Sequence, residues 1–505
     1  MALSPLKRLQ NIPRYVPASI LCSLNGLLLG MDTGIIGPVT DMKEFVQHFG
    51  GSQSATIHGL IVSSILIPVA ISSFFAGVLA DRLGRSKGIS IGVFIFGVGA
   101  ALEAAAVHLA MFIIGRVVEG VGEGLFLGTL VVYICEISPT RVRGTFTTGP
   151  QLLITLGIVA GFFTCYGTSG IQSSMSWRTP FIVLAALSMT LSMVSLFFLP
   201  PSPRWLTIHG LEGEATEAWD YLGVRHAERE KVENELEPVV PSDAQDKGKG
   251  TNIANSPEAQ TSAKPTHPLF DLFARDVRSR TSLAVFMMGM QQLSGIDGVL
   301  YYAPLLFQQA GLASSEASFL ASGVSALVIF AVTIPALIWA DQWGRRQSTI
   351  YGGVALSITM FLIGALYASG SVHGSFGAGR WIVIVTIYLF AVIYSLTWGV
   401  GIKIYAAEIQ PQRTRASATS LAHGSNWAAN FLVALTTPIL LSKSSYGAYF
   451  LFGGCSILTA IVCALFMPET KGRSLNEIEE AFKRKSPRSS NLASKMLRPV
   501  YKWKV

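Results

Sequence analysis

One apolar stretch of the sequence carries more hydrogen-bonding side chains than a buried helix can leave unpaired. It runs over 289–307 and reads GMQQLSGIDGVLYYAPLLF. Its polar side chains are Gln291, Gln292, Ser294, Asp297, Tyr301 and Tyr302. Hydrocarbon cannot satisfy amides, a carboxylate and hydroxyls, so these groups must face a water-filled cavity or polar partners. They offer hydrogen bonds to a polar solute, and a polar seam between packed helices is the alternative.

The same stretch is predicted to form a helix that breaks. It contains Gly289, Gly295, Gly298 and Pro304, which interrupt or bend a helix. Spacings of three, four and seven residues place its polar and small residues on one broad face. Broken helices of this kind bend around the solute in transporters.

A second group of candidate residues carries charge. Asp32 lies inside the first long apolar segment, and Arg116 lies at the start of the fourth. A carboxylate in a membrane is costly unless it is protonated or paired, so Asp32 is a candidate proton acceptor with Arg116 as its partner. Protonation would neutralise Asp32 and release the pair, which biases one conformational state over another. A static buried ion pair is the alternative.

Two further acids complicate this assignment. Glu119 and Glu123 follow Arg116 at i+3 and i+7, on nearly the same face of the predicted helix. Arg116 is therefore expected to be shared among several acids. Which carboxylate accepts the proton stays open.

The composition indicates the class of protein in which these residues lie. The chain has 505 residues, of which 50% are hydrophobic and 13% charged, with a mean hydropathy of +0.48. These values are typical of a polytopic membrane protein. The net charge of +8 does not predict nucleic-acid binding, because the basic residues are scattered through short loops and a tail. The five cysteines lack metal or redox spacing, so we predict no metal, no cofactor and no enzyme activity.

We predict twelve spanning helices and hence an all-α fold. They lie near 16–37, 55–80, 88–109, 111–134, 146–168, 178–200, 281–308, 314–340, 348–369, 380–407, 416–441 and 446–467. The predicted division is a cytoplasmic N-terminus (1–15), a six-helix bundle (16–200), a central loop (201–280), a second bundle (281–467) and a tail (468–505). Within the loop, 237–268 is predicted to be disordered, because it has few large apolar residues.

The distribution of Lys and Arg predicts the orientation. They concentrate in the short loops 2–3, 4–5, 8–9 and 10–11 and in the tail, whereas the opposite side has only Lys43, Arg178, Arg380 and Lys443. By the positive-inside rule, both termini are cytoplasmic.

The two halves of the sequence repeat. GVLADRLGRSKG at 77–88 matches ALIWADQWGRRQ at 336–347, and EISPTRVRG at 136–144 matches EIQPQRTRA at 408–416. LPPSPRWL at 199–206 has its counterpart in MPETKGRS at 467–474. Two parallel repeats with a site between them are the plan of an alternating-access transporter.

The sequence resembles the sugar porter branch of the major facilitator superfamily over nearly its whole length, especially its fungal members. The stretches that carry the resemblance are GMDTGIIGP, GVLADRLGR, GRVVEGVGEG, YICEISPTRVRG, QQLSGIDGVLYYAP, WADQWGRR and PETKGRS. The resemblance implies twelve helices, a central solute site and clamps on the inner surface. In proton-coupled members, the residues matching Asp32 and Arg116 accept the proton and tune its binding.

The resemblance also implies a set of solute-binding residues. They are Gln151, Gln291, Gln292, Asp297, Tyr301, Lys403, Asn426 and Asn430. Asp297 stands where the family usually has Asn, and Lys403 where it usually has the Trp on which a neutral sugar stacks. An ammonium there favours an acidic solute, such as a uronic acid or a quinate-like acid. The alternative is that Lys403 neutralises Asp297 or Glu119 and leaves a neutral-sugar site.

Charged motifs at the inner ends of the helices predict an inner gate that a conformational change can break. Its residues are Asp81, Arg82, Arg85, Glu136, Arg143, Asp341, Arg345, Arg346, Glu408 and Arg415. Ser86 and Gln342 replace arginines that are usual in the family, and Pro201 replaces its usual Glu. Ordinary topology-setting charges are the alternative.

The sequence therefore predicts a proton-coupled symporter that imports a monosaccharide as a monomer through the plasma membrane. An acidic sugar such as galacturonate, or a quinate-like acid, is the favoured solute. The alternatives are a carrier of neutral hexose or pentose, by symport or uniport, and a transporter-like sugar sensor. Asp32 argues against uniport, because facilitators that resemble this family usually have an amide there.

Overall fold

The computed structural model describes residues 13–50, 54–224, 229, 277–312, 315–339, 342–372, 377–411, 414–471 and 482. These residues form helices and connecting segments, with no strand among them. The segment 237–268, and most of the predicted N-terminus and tail, lie outside the described residues.

The described residues form twelve spans, as predicted. The first half contains Tyr15–Asp41, Ala55–Ser63 with Leu66–Leu83, Arg85–Ala104, Leu109–Ile137, Gly149–Thr168 and Met175–Phe198. The second half contains Arg278–Leu293 with Ile296–Tyr301 and Ala303–Gln309, then Ser315–Trp339, Arg345–Ala368, Gly379–Glu408, Arg415–Lys443 and Gly447–Phe466. Short helices lie at Lys43–His48, Thr140–Thr147, Pro203–Ile208 and Glu212–Leu222.

Eleven of the described helices are long and apolar enough to cross a membrane by length and composition. The eleventh span, Arg415–Lys443, is long enough at 29 residues but is not among them, because serines, threonines, asparagines and a histidine interrupt its apolar residues. That polarity is itself informative, since this helix lines the site described below.

The seventh span breaks where the sequence predicts. Gly295 adopts a φ of +90°, a left-handed conformation that glycine tolerates best, and separates the first two helical pieces. A third piece begins beside Tyr302, with Pro304 in its first turn, where a missing N–H costs nothing. Gly289 lies inside an unbroken piece. The helix of the seventh span is therefore interrupted twice, at Gly295 and at Tyr302.

Each half has its own apolar core. Buried aromatic residues such as Phe96 and Trp177 form part of the core of the first half, and Trp398 and Phe452 lie in that of the second. Exposed apolar residues, for example Phe197 at 71%, face outward, as expected for helices that contact lipid.

One set of contacts between the two halves lies at one end of the spans. We call this end outer and the opposite end inner, because the charge pattern places both termini on the inner side. The backbone of Gly37 lies against the carbonyl group of Tyr301, so closely that a side chain on Gly37 would collide with it. The His58 ring of the first half packs edge-on against Tyr302 of the second, whose hydroxyl donates to the Ala434 carbonyl within its own half at 2.6 Å. These contacts close the outer ends of the halves.

Candidate functional site: a buried ion cluster and a cluster of amides

Four charged side chains meet in the first half. Nη1 of Arg116 contacts a carboxylate oxygen of Asp32 directly, and lies 3.4 Å from Glu119 Oε2 and 3.9 Å from Glu103 Oε2. All four residues are at most 3% exposed. We call Asp32, Glu103, Arg116 and Glu119 the Arg116 cluster. The predicted pairing of Asp32 with Arg116 is present, and Arg116 is shared with further acids.

Close packing of the third and fourth spans brings these charges together. A Cβ on Gly115 would lie 2.7 Å from Cγ of Glu103, and a Cβ on Gly99 would overlap the backbone of Glu119. The small residues allow the helices to approach, so side chains from both spans reach one guanidinium. The second span contributes the carbonyl of Val62, 3.4 Å from Nη2 of Arg116.

Glu103 is the member of the cluster that sequence reasoning missed. A signal existed, because Glu103 interrupts an apolar segment just as Asp32 does. Glu123 is also buried, at 1% exposure, and its Oε1 has no hydrogen-bond partner among the described residues. It lies about one turn further along the fourth span than Glu119.

Amides from the seventh and eleventh spans form a network. Gln291 donates to the Trp398 carbonyl at 2.7 Å and accepts from Asn426 at 3.2 Å. Gln292 donates to Asn426 at 3.1 Å, and Asn426 also donates to the carbonyl of Met288 at 2.8 Å. We call Gln291, Gln292 and Asn426 the amide cluster. It joins spans of the second half, so these residues are also a polar packing seam.

Three half-buried side chains lie where the fifth, seventh and tenth spans come together. Nζ of Lys403 donates to Oε1 of Gln151 at 3.4 Å, a contact that joins the two halves. Lys403 and Asp297 act on each other electrostatically, but no direct ion pair joins these two described side chains. Their opposite charges therefore face one region that is open enough to expose part of each.

Tyr301 lies near acids of both halves. It is buried beside Asn430 and within electrostatic range of Asp32 and Glu123 from the first half and of Asp297 from the second. Every predicted solute residue thus comes from the fifth, seventh, tenth or eleventh span.

Two residues near the solute site carried no sequence signal. Tyr394 lies beside Gln291 and within range of Asp297, and His423 lies within range of Lys403. A tyrosine or histidine in an apolar helix reads as a packing residue until its neighbours are known.

At the inner end of the first half, Arg85 is the centre of a charged cluster. Its guanidinium lies 3.2 Å from Glu136 and 2.5 Å from Asp81. Glu136 also accepts a hydrogen bond from the Ser202 hydroxyl at 2.5 Å. We call this arrangement the first inner cluster.

The second half repeats it. Arg345 lies 3.4 Å from Glu408, which accepts a hydrogen bond from the Thr470 hydroxyl at 2.7 Å. Glu469 adds two bonds, from the backbone N–H groups of Arg345 at 2.8 Å and Arg346 at 3.2 Å. We call this arrangement the second inner cluster.

These ion pairs run within each half. Of the other predicted gate residues, Arg82 is exposed, Arg143 is half-buried, and Arg346 donates to the Ala464 carbonyl at 2.8 Å. Asp341 and the side chain of Arg415 lie outside the described residues. The gating role of all these residues stays a prediction.

Twelve spans in two similar halves, with a buried polar site between them, define a secondary transporter. The sequence family described as "Sugar (and other) transporter" matches residues 18–482. The chain belongs to this family.

Comparisons with individual proteins agree. A "High-affinity glucose transporter" of Kluyveromyces lactis is 30% identical over 92% of this chain and 84% of its own length. "Sugar transport protein MST7" of Oryza sativa subsp. japonica is 30% identical over 92% of this chain and 90% of its own.

Solved structures match the fold. The partially occluded, inward-open xylose transporter XylE from E. coli superimposes with a TM-score of 0.72, at 23% identity, over 91% of this chain and 99% of that one. At that identity the likeness shows the fold alone. A structure described as the major facilitator superfamily proton:xylose symporter XylE bound to 6-bromo-6-deoxy-D-glucose gives a TM-score of 0.71, at 25% identity, over 93% and 99% of the two chains.

Proposed function

We propose that this protein is a proton-coupled symporter that imports a neutral monosaccharide, a hexose or pentose, across the plasma membrane as a monomer. The observation that carries the proposal is the position of Tyr301, which lies within electrostatic range of Asp32 in the Arg116 cluster and of Asp297, a neighbour of the amide cluster along the seventh span. Proton binding and sugar binding then act on neighbouring helices at the contact between the halves.

The proton step follows from the direct contact between Asp32 and Arg116. Protonation neutralises Asp32 and weakens its hold on Arg116, which frees the first span to shift against the fourth. The first span also touches the seventh span at Gly37 and Tyr301, so its movement is transmitted to the outer closure. A protonation event is thereby tied to the access state of the solute site.

The solute step follows from the amide cluster. Each amide offers donors and an acceptor, which suits the neighbouring hydroxyls of a sugar. Lys403 and Asp297 carry opposite charges in the same region, so together they impose no net charge on the solute. The relatives described as glucose and sugar transporters, and the symporter described as carrying xylose, support a neutral sugar over a sugar acid.

A second candidate solute is a sugar acid such as galacturonate, or a quinate-like acid. One observation favours it: Lys403 is partly exposed and has no direct ion pair with Asp297 among the described residues. A solute carboxylate that reached Lys403 would gain a charge-assisted hydrogen bond.

The test is uptake by cells that lack endogenous hexose carriers, offered glucose, xylose, galacturonate and quinate in parallel. We expect glucose or xylose to accumulate above its external concentration, and a protonophore to abolish the accumulation. Uptake of only the acids would replace the neutral solute by the acidic one. Equilibration without accumulation would indicate uniport, and the absence of all uptake, with solute binding retained, would indicate a sensor.

A further inference from the structure

The Arg116 cluster contains more acid than its one guanidinium can neutralise. Carboxylate oxygens of Asp32, Glu103 and Glu119 lie within 4.8 Å of one another. Asp32 holds the direct contact with Arg116. Both oxygens of Glu103, and Oε1 of Glu119, are buried without a hydrogen-bond partner among the described residues. An ionised carboxylate that is buried without a donor is strongly disfavoured, so this arrangement requires a proton.

We propose that Glu103 and Glu119 share a proton and form a second proton-binding site, which becomes the counter-ion of Arg116 whenever Asp32 is protonated. The proposal rests on the proposed function in one respect, namely that Asp32 is the acid whose protonation drives the cycle. The ligand is a proton held between two carboxyl oxygens, as in other paired carboxyl groups that cannot both ionise.

The charges explain why such a pair is useful. With one shared proton, Glu103 and Glu119 together carry a single negative charge, and both lie within 3.9 Å of Nη1 of Arg116. When Asp32 accepts its proton, Arg116 therefore keeps an anionic partner. Without the pair, each cycle would leave a guanidinium buried at 1% exposure without a counter-ion, which is costly.

The charged groups that act on the pair are Asp32 from the first span and Arg116 from the fourth. Glu123 follows on the fourth span and acts on Asp32 and Arg116. Arg178 from the sixth span and His48 from the short helix Lys43–His48 lie further out, where Arg178 binds carbonyl groups beyond Glu103. The second span presents the carbonyl of Val62 to Arg116.

Arg178 lies at the outer end of the third span. It hydrogen-bonds the carbonyl groups of Ala104 and Ala106, just beyond Glu103. Its Nη2 lies 3.4 Å from Nε2 of His48. Glu103 is therefore one residue from the outer end of its helix, while its side chain is fully buried.

The first experiment measures sugar uptake against pH for the double variant Glu103→Gln/Glu119→Gln and the control Glu214→Gln, an exposed glutamate on the helix Glu212–Leu222. The double variant removes the single negative charge of the pair, which makes Asp32 harder to protonate. We therefore expect the pH of half-maximal uptake to fall by on the order of one unit, and Glu103→Gln/Glu119→Asp, which keeps one carboxyl group, to shift it much less. A double-variant profile identical to wild type, at equal surface amounts, would overturn the proposal.

The second experiment does not depend on transport. Infrared spectra of the purified protein at neutral pH are compared between wild type and the double variant Glu103→Gln/Glu119→Gln. We expect their difference spectrum to contain the stretching band of one protonated carboxyl group, and the same band to appear when both proteins also carry Asp32→Asn. A difference spectrum without that band would refute the shared proton. If the band is present but sugar uptake does not depend on the proton gradient, the shared proton is supported and symport is refuted.

Discussion

The two halves of this transporter share a scaffold but bury different chemistry. In the first half, the first span brings Asp32 to Arg116, and the buried polar groups are ions. In the second half, the corresponding seventh span brings Gln291 to Asn426, and the buried polar groups are amides. Ions respond to protons, whereas amides offer hydrogen bonds to a neutral solute. Under the proposed function, the first half senses the proton and the amides of the second half bind the sugar.

The inner ends of the two halves, by contrast, carry nearly the same groups. In each, an arginine pairs with a glutamate that accepts a hydrogen bond from a hydroxyl group: Arg85, Glu136 and Ser202 in the first half, Arg345, Glu408 and Thr470 in the second. The two clusters differ at the residue that precedes the hydroxyl-bearing residue. Glu469 there accepts from two N–H groups at the start of the ninth span, and its counterpart by sequence is Pro201. The repeated scaffold is thus nearly identical at the inner ends of the two halves.

Asp32→Asn should give the largest effect, because it removes the acid in direct contact with Arg116. We expect uphill accumulation of sugar to be lost while exchange of sugar across the membrane remains. Accumulation and counterflow in vesicles measure the two activities separately. Asp297→Asn is the matched change in the second half, and it should still concentrate sugar. An Asp32→Asn protein that concentrates sugar would break the division between the halves.

Gln291→Ala should weaken sugar binding without uncoupling it. The substitution removes a donor to the Trp398 carbonyl and an acceptor for Asn426, so it disturbs two hydrogen bonds of the amide cluster. Under the proposed function it also removes the donor and the acceptor that this amide offers to sugar hydroxyls. At about 0.5–1.5 kcal/mol for each of those two bonds to the sugar, the apparent affinity should fall on the order of tenfold to a hundredfold. Initial uptake rates over a range of sugar concentrations give this value. If the accumulation ratio collapsed while affinity was unchanged, the amides would belong to the coupling machinery.

Lys403→Gln tests the neutral solute against the acidic one. For a neutral sugar we expect a change of less than about tenfold, because a glutamine can still hydrogen-bond near Gln151. For a sugar acid, the lost charge-assisted bond of roughly 1.5–3 kcal/mol would weaken uptake on the order of ten- to a hundredfold. Competition between labelled glucose and unlabelled galacturonate measures the difference. If Lys403→Gln lowers uptake because it leaves the negative charge of Asp297 without a nearby cation, the double variant Lys403→Gln/Asp297→Asn should recover that uptake.

Glu469→Ala should give the smallest effect, on stability. It removes a carboxylate that accepts from the first N–H groups of the ninth span, a change worth about 1 kcal/mol in the free energy of unfolding. The expected result is a slightly lower melting temperature of the purified protein. Pro201→Glu is the reverse experiment, since the third span begins after Gly84 without a side-chain cap. A lower melting temperature for Glu469→Ala and a higher one for Pro201→Glu would show that this carboxylate accounts for the difference between the inner clusters. An unchanged melting temperature in both variants would show that the carboxylate does not contribute to stability.

The sequence by itself determined the twelve spans, the twofold repeat and the pairing of Asp32 with Arg116. These follow from local properties, because a bilayer requires long apolar helices and penalises an unpaired charge wherever it occurs. Gly295 and Pro304 likewise predicted the breaks in the seventh span, since backbone conformation depends on the residue itself.

Only the tertiary structure decided which faces of the helices meet. The approach of the third and fourth spans at Gly99 and Gly115 brings Glu103 to Arg116, although no spacing in the sequence relates them. In the same way, Tyr302 and His58 meet across the outer closure because two halves pack there. Helical periodicity fixes which residues of one helix share a face, but the rotation and depth of that helix against its neighbours depend on packing along its whole length.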